Sequence, residues 1–91
     1  MTELNDKIYD EILYIINKSN EPLETKEIQE KLIEDLKKVK ITRTKVFYRL
    51  NILRAEGKIK GKFTGPGKGV WIWWKTDNYY ISSEDQNMKV D

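Results

Sequence analysis

The hydrophobic positions along the chain follow a helical period three times and then switch to a period of two. Leu4, Ile8, Ile12 and Ile15 recur at helical spacing and predict a first helix over Asn5–Asn17. Tyr9, Leu13 and Ile16 widen its apolar stripe to about half the circumference, beyond the ~100° of a one-sided surface helix. A stripe that wide is either sandwiched inside its own domain or turned in part toward a second copy. Lys18 to Pro22 end this helix: Asn20 suits a left-handed cap, and Glu21 is pushed out of the α region by the proline after it. Leu23 starts a short extended segment. Thr25 then caps a second helix over Lys26–Lys37, with Ile28, Leu32, Leu36 and Ile33 as core positions. Glu27 and Glu30 complement its positive dipole end, and Lys37 and Lys38 the other end. Val39 and Ile41 are expected to pin the connector that follows.

The third helix, residues 42–56, is the stretch around which the rest is arranged. Val46, Leu50 and Leu53 line one face, Thr42 or Thr44 serves as N-cap, and Gly57 suits the left-handed position after the last turn. The opposite face carries Thr44, Lys45, Tyr48 and Asn51, flanked by Arg43 and Arg49. A rod with that face fits a DNA major groove, which is about 12 Å wide and admits an α-helix.

From residue 58 the pattern alternates. Ile59 and Phe63 take one face and Lys58, Lys60 and Lys62 the other. Residues 65–69 (Gly-Pro-Gly-Lys-Gly) form a turn, and Val70 to Lys75 alternates again. Val70, Ile72 and Trp74 are expected inward, and Trp71 and Trp73 outward beside the lysines. The glycine-rich turn joins strands rather than opening a helix and lacks the G-x-x-x-x-G-K-[ST] spacing, so it reads as a hairpin tip and not a phosphate loop. The domain is expected to span residues 1–76. Residues 77–91 form a polar, partly disordered tail whose apolar patch is Tyr79-Tyr80-Ile81.

Composition narrows the function. Ninety-one residues make one domain. With no cysteine and no histidine, disulfides, zinc fingers and every Cys- or His-based catalytic arrangement are excluded. No apolar run approaches the ~20 residues of a membrane span, and the N-terminal residues do not resemble a signal peptide. A cytoplasmic, nucleoid-associated protein is expected. The net charge of +2 conceals a strong asymmetry: residues 1–36 carry −6, residues 37–75 carry +11 with Glu56 as their single acid, and residues 76–91 carry −3. A basic block of that density points to a polyanion. The Lys/Glu/Ile-rich, Cys-free composition leans toward a thermophile, with an archaeal source expected, although an AT-rich genome gives a similar bias.

Catalysis has little to stand on. Asp10/Glu11 and Glu34/Asp35 are sequence neighbours, which do not face each other on a helix. No nucleophile, metal cluster, cofactor or small-molecule ligand is indicated, and the protein is read as a non-enzyme. Arg43 and Arg49 have the chemistry to fork onto guanine O6/N7, against the alternative of phosphate contacts, which take half to two-thirds of protein–DNA hydrogen bonds. Trp71 and Trp73 could stack on unpaired bases or pack on lysine stems or a partner subunit.

The order of three helices and a hairpin, with Thr42-Arg43-Thr44-Lys45-Val46-Phe47-Tyr48-Arg49-Leu50 followed by Leu53 and Gly57-Lys58-Ile59, resembles the winged helix-turn-helix domain of small transcription regulators. Pro22 to Ile28 looks like that family's entry to its second helix. The resemblance covers roughly Leu4 to Lys75. It implies an α+β fold, a three-helix bundle followed by a two-stranded β-hairpin wing. It implies that the third helix is the recognition helix, with Thr42, Arg43, Thr44, Lys45, Tyr48 and Arg49 nearest double-stranded DNA, and that Lys60, Lys62 and Lys68 of the wing meet the backbone or minor groove. A homodimer acting as a sequence-specific transcriptional regulator follows from family habit. The alternatives are a non-specific architectural DNA-binding protein and a protein–protein module using Trp71, Trp73 and Ile52.

Overall fold

The computed structural model describes residues 3–37 and 40–76. The elements run α1 (Glu3–Lys18), β1 (Leu23–Glu24), α2 (Thr25–Leu36), α3 (Arg43–Ala55), β2 (Ile59–Thr64) and β3 (Val70–Lys75). This is the expected α+β order, with one addition. The extended segment at Leu23 is a strand: it pairs antiparallel with β3, Leu23 opposite Trp73 and Glu24 opposite Ile72, giving a three-stranded sheet ordered β1-β3-β2. The pairing covers the middle of the β3 edge, at Ile72 and Trp73, which a two-stranded hairpin would leave open.

The wide stripe of α1 is used inside the domain. Ile8, Ile12, Ile15 and Ile16 are all buried, and α1 packs against α2, α3 and β3. Tyr9 and Leu13, which widen the stripe, pack on this core and are half-buried. Ile28 and Leu32 of α2, Val46, Leu50 and Leu53 of α3, and Ile59 of β2 complete the core with Leu23 and Trp73. Ile41 is buried and holds the α2–α3 connector. The side chain of Leu4, the residues Lys38 and Val39, and the tail with Tyr79-Tyr80-Ile81 lie outside the described residues.

The ends of α3 follow the sequence closely. Thr42 is the N-cap, its Oγ1 accepting from the Lys45 N–H at 3.2 Å. At the other end Gly57 takes φ +78°; its N–H donates to Arg54 O at 3.0 Å and the Lys58 N–H to Leu53 O at 3.0 Å. This pair of bonds is a Schellman motif, which turns the chain from α3 into β2. The start of α2 differs from expectation. Glu24, not Thr25, is the N-cap, its N–H donating to Glu27 Oε1 at 2.8 Å. The Thr25 hydroxyl is engaged elsewhere, accepting from Trp73 Nε1 at 2.9 Å.

β2 keeps Ile59 inward and Lys60 and Lys62 outward as expected, but β3 presents the opposite face to the one expected. β2 and β3 pair with Ile59 opposite Lys75, Gly61 opposite Trp73 and Phe63 opposite Trp71, while Lys60 faces Trp74 and Lys62 faces Ile72. Directly opposed residues share a face of an antiparallel sheet, so Trp71 and Trp73 lie with Ile59 and Gly61 toward the helices. Trp73 is fully buried, whereas Val70, expected inward, is exposed. The outer face carries Lys60 and Lys62 beside Ile72 and Trp74. The indole of Trp73 reaches the core because Gly61, across from it, has no side chain in the way.

Candidate nucleic-acid interface

α3 presents its N-terminal half to solvent. Thr42, Arg43, Thr44 and Lys45 are exposed, and so is Tyr48, at 62 %. The rigid Schellman turn and the buried Val46–Leu50–Leu53 face fix how far this half projects. Arg43 is held by the second turn of α2: its Nε donates to Gln29 Oε1 at 3.2 Å, and Gln29 Nε2 donates to Ile41 O at 3.0 Å. The guanidinium keeps its remaining N–H groups for a ligand. Asn51, further along, is occupied by its own helix, its Nδ2 donating to Phe47 O at 2.9 Å.

Arg49 departs from its expected place. It is 9 % exposed, and its Nη1 donates to Lys45 O, one turn back, at 3.0 Å. The residue lies three positions after Val46 and four before Leu53, at the border of the buried face, and its long stem folds along that border. It does not join the exposed set. Lys60 and Lys62 are exposed but sit on the sheet face turned away from α3. Lys68 is exposed on the 65–69 turn, which contains a cis Gly65–Pro66 bond and Gly67 at φ +74°. The structure thus groups Thr42, Arg43, Thr44, Lys45 and Tyr48 on α3, puts Lys68 on the wing turn, and separates Lys60, Lys62 and Arg49 from them.

The one acid of the basic block is already neutralised. The Glu56 carboxylate lies 3.6 Å from Lys58 Nζ and accepts from the Tyr9 hydroxyl, whose oxygen in turn accepts from Lys58 Nζ at 3.0 Å. Partial burial, and then the hydrogen bond to Glu56, raise the Tyr9 hydroxyl above its ordinary pKa. Lys58 therefore serves to tie α1 to the α3–β2 turn, leaving the positive surface to the other cations.

An open groove of about 510 Å³ runs between the wing and the N-terminal ends of α2 and α3. Sequence reasoning missed it, because it placed Phe63 inside and Trp71 outside. Its aromatic wall is a contiguous set. Trp71 stacks on Trp73 with centroids 5.1 Å apart, Phe47 stands edge-on to both at 6.1 and 5.9 Å, and Phe63 stands edge-on to Trp71 at 6.0 Å. Arg54 lies over the Trp71 ring at 5.4 Å. Lys26 of α2 joins Arg43 and Thr44 along the groove. Nothing in the charge pattern singled out Lys26, since it sits in the acidic first third of the chain. The outward Trp71/Trp73/Ile52 surface on which a protein-docking role was considered is not present, because Trp73 is inside and Trp71 half-buried.

No family model matches the chain, and no curated protein matches it. Solved structures do. A PadR-like transcription factor from "bacteroid fragilis" superposes with a TM-score of 0.67 at 15 % identity, over 94 % of this chain and 88 % of the other. A PadR-family transcriptional regulator from Eggerthella lenta gives 0.64 at 14 % identity, over 96 % and 75 %. A structure from work on the DNA recognition and protein interaction domains of HOP2 gives 0.60 at 25 % identity, over 76 % of this chain and 98 % of that one. The chain has the winged-helix fold.

Proposed function

We propose that the protein binds double-stranded DNA through the N-terminal half of α3 and acts as a sequence-specific transcriptional regulator. The observation that carries this is the contiguous exposed face of Thr42, Arg43, Thr44, Lys45 and Tyr48, set in the +11 segment on a winged-helix frame. α3 enters the major groove; Lys45 and the threonine hydroxyls meet phosphates, and Arg43, held by Gln29, reads a base edge. Lys68 reaches the backbone from the wing turn. Lys60 and Lys62, on the far sheet face, contribute a weaker long-range field. The likeness to PadR-type regulators supports the regulatory role.

As a homodimer, two copies would place their α3 helices in successive major grooves about 34 Å apart. Size-exclusion chromatography with light scattering reads the oligomeric state directly.

The test is fluorescence anisotropy with a labelled duplex at increasing salt. With three cations, Lys26, Lys45 and Lys68, at phosphates, log K should fall with log salt at a slope of about −3. Absence of binding at low salt overturns the reading. Duplex selection then separates a regulator, which enriches a preferred site, from an architectural protein, which enriches none.

A further inference from the structure

We propose that the groove between the wing and the N-terminal ends of α2 and α3 takes an unpaired DNA base adjoining the duplex held by α3. This rests on the duplex reading and extends it to a feature that a duplex leaves unused. A paired helix offers phosphates and groove edges, and its base faces are hidden by stacking. Yet beside the cationic face of α3 the protein exposes two large apolar residues, Phe63 at 51 % and Val70 at 42 %. Both line the groove with Phe47 and Trp71, and its volume of about 510 Å³ falls within the roughly 300–1,000 Å³ of small-molecule sites.

The occupant follows from the two kinds of lining together. Aromatic walls accept any nucleobase, because every base has a π-face. Lys26 lines the same groove beside Arg43, against the single acid Glu24, and suits the phosphate next to that base. Phe63 is the ring available to stack. Trp71 already carries Trp73, Phe47, Phe63 and Arg54 around it, whereas the aromatic contact of Phe63 is with Trp71 alone among the described residues. An unpaired base reaches the groove at small cost, since it has no pairing to lose.

The experiment compares a fully paired two-stranded duplex with the same duplex carrying one bulged 2-aminopurine, by anisotropy and by 2-aminopurine emission. The protein should prefer the bulged DNA by roughly 5- to 100-fold, the range that one base stacked on an aromatic ring supplies, and the emission should be quenched on binding. Phe63→Ala should abolish both the preference and the quenching while leaving affinity for the paired duplex unchanged, and Phe63→Tyr should retain both. Because Phe63 is half exposed, neither substitution disturbs the core. Equal affinity for the two DNAs, or a preference that survives Phe63→Ala, overturns the proposal and leaves the duplex reading standing. Failure to bind either DNA at low salt overturns both.

Discussion

Gly61 lies directly across the wing from Trp73, and a β-carbon on Gly61 would come within 2.4 Å of Trp73 Cε3. The indole ring occupies the space that any other residue would fill. Gly61→Ala must therefore displace a fully buried ring that also touches Phe47. Overpacking of this kind typically costs about 1–3 kcal/mol. Chemical denaturation followed by tryptophan fluorescence should show that loss, and an unchanged midpoint would mean that the indole moves aside freely.

The same indole is tied at its other end. Trp73, whose side chain is fully buried, donates from Nε1 to Oγ1 of the half-buried Thr25. Thr25→Val keeps the shape and removes the acceptor, leaving a buried N–H unsatisfied, and is expected to cost about 1–3 kcal/mol. Thr25→Ser retains the hydroxyl and should cost clearly less. Equal melting temperatures for the Val and Ser variants would remove the hydrogen bond from this account.

The separation of the basic residues among α3 with the wing turn, the outer sheet face and a buried site makes their replacements distinguishable. Lys45→Ala should weaken DNA binding across sequences and reduce the salt slope by about 1. Lys60→Ala and Lys62→Ala should change the slope less. Arg49→Ala should leave the slope alone and lower stability by roughly 1–2 kcal/mol, through lost packing and a lost charged hydrogen bond. A salt slope that drops with Arg49→Ala as far as with Lys45→Ala would contradict this arrangement.

A carboxyl pair gives the fold a pH dependence. Partial burial, and then the nearby Asp35 carboxyl on α2, raise Glu11 above its ordinary value of 4.5. The folded chain then holds this proton more tightly than the unfolded chain, so the stabilisation is complete below the ordinary carboxylate range and is lost as pH rises through the raised value. Glu11→Gln should raise the melting temperature at pH 7, by less than about 1 kcal/mol of stability since the site is largely solvated. The advantage should vanish near pH 4. A variant no more stable at pH 7 would remove the repulsion from the picture.

The helical part of this fold was legible because period 3.6 and cap chemistry are local. Val46, Leu50 and Leu53, the Thr42 cap and the Gly57 turn all follow from residues within a few positions of each other. The wing was not legible in the same way. Alternation states which residues share a face, but the choice of buried face belongs to the partner strand and the helices. A turn over 65–69 sets Thr64 opposite Val70, so Phe63 must share a face with Trp71, and Ile59 and Gly61 with Lys75 and Trp73. The small residue midway along β2 was the available sign that the bulkiest ring on β3 points toward the core. Arg49 was misplaced because a long cationic side chain at the border of an apolar face is equally at home folded inward.

The strand pairing of Leu23 and Glu24 with β3 also governs how the chain reaches this fold. The bond from Trp73 to Thr25 joins residues 48 apart in sequence, and β1 waits for the same segment. Three helices of this size can associate through near neighbours quickly, but closure here requires the last strand to return to the start of α2. Folding rates fall as such distant contacts grow in share. A nascent chain halted before Trp73 would lack both the ring that fills the centre and the partner of β1, so the domain becomes a closed unit only when its final described strand has been made.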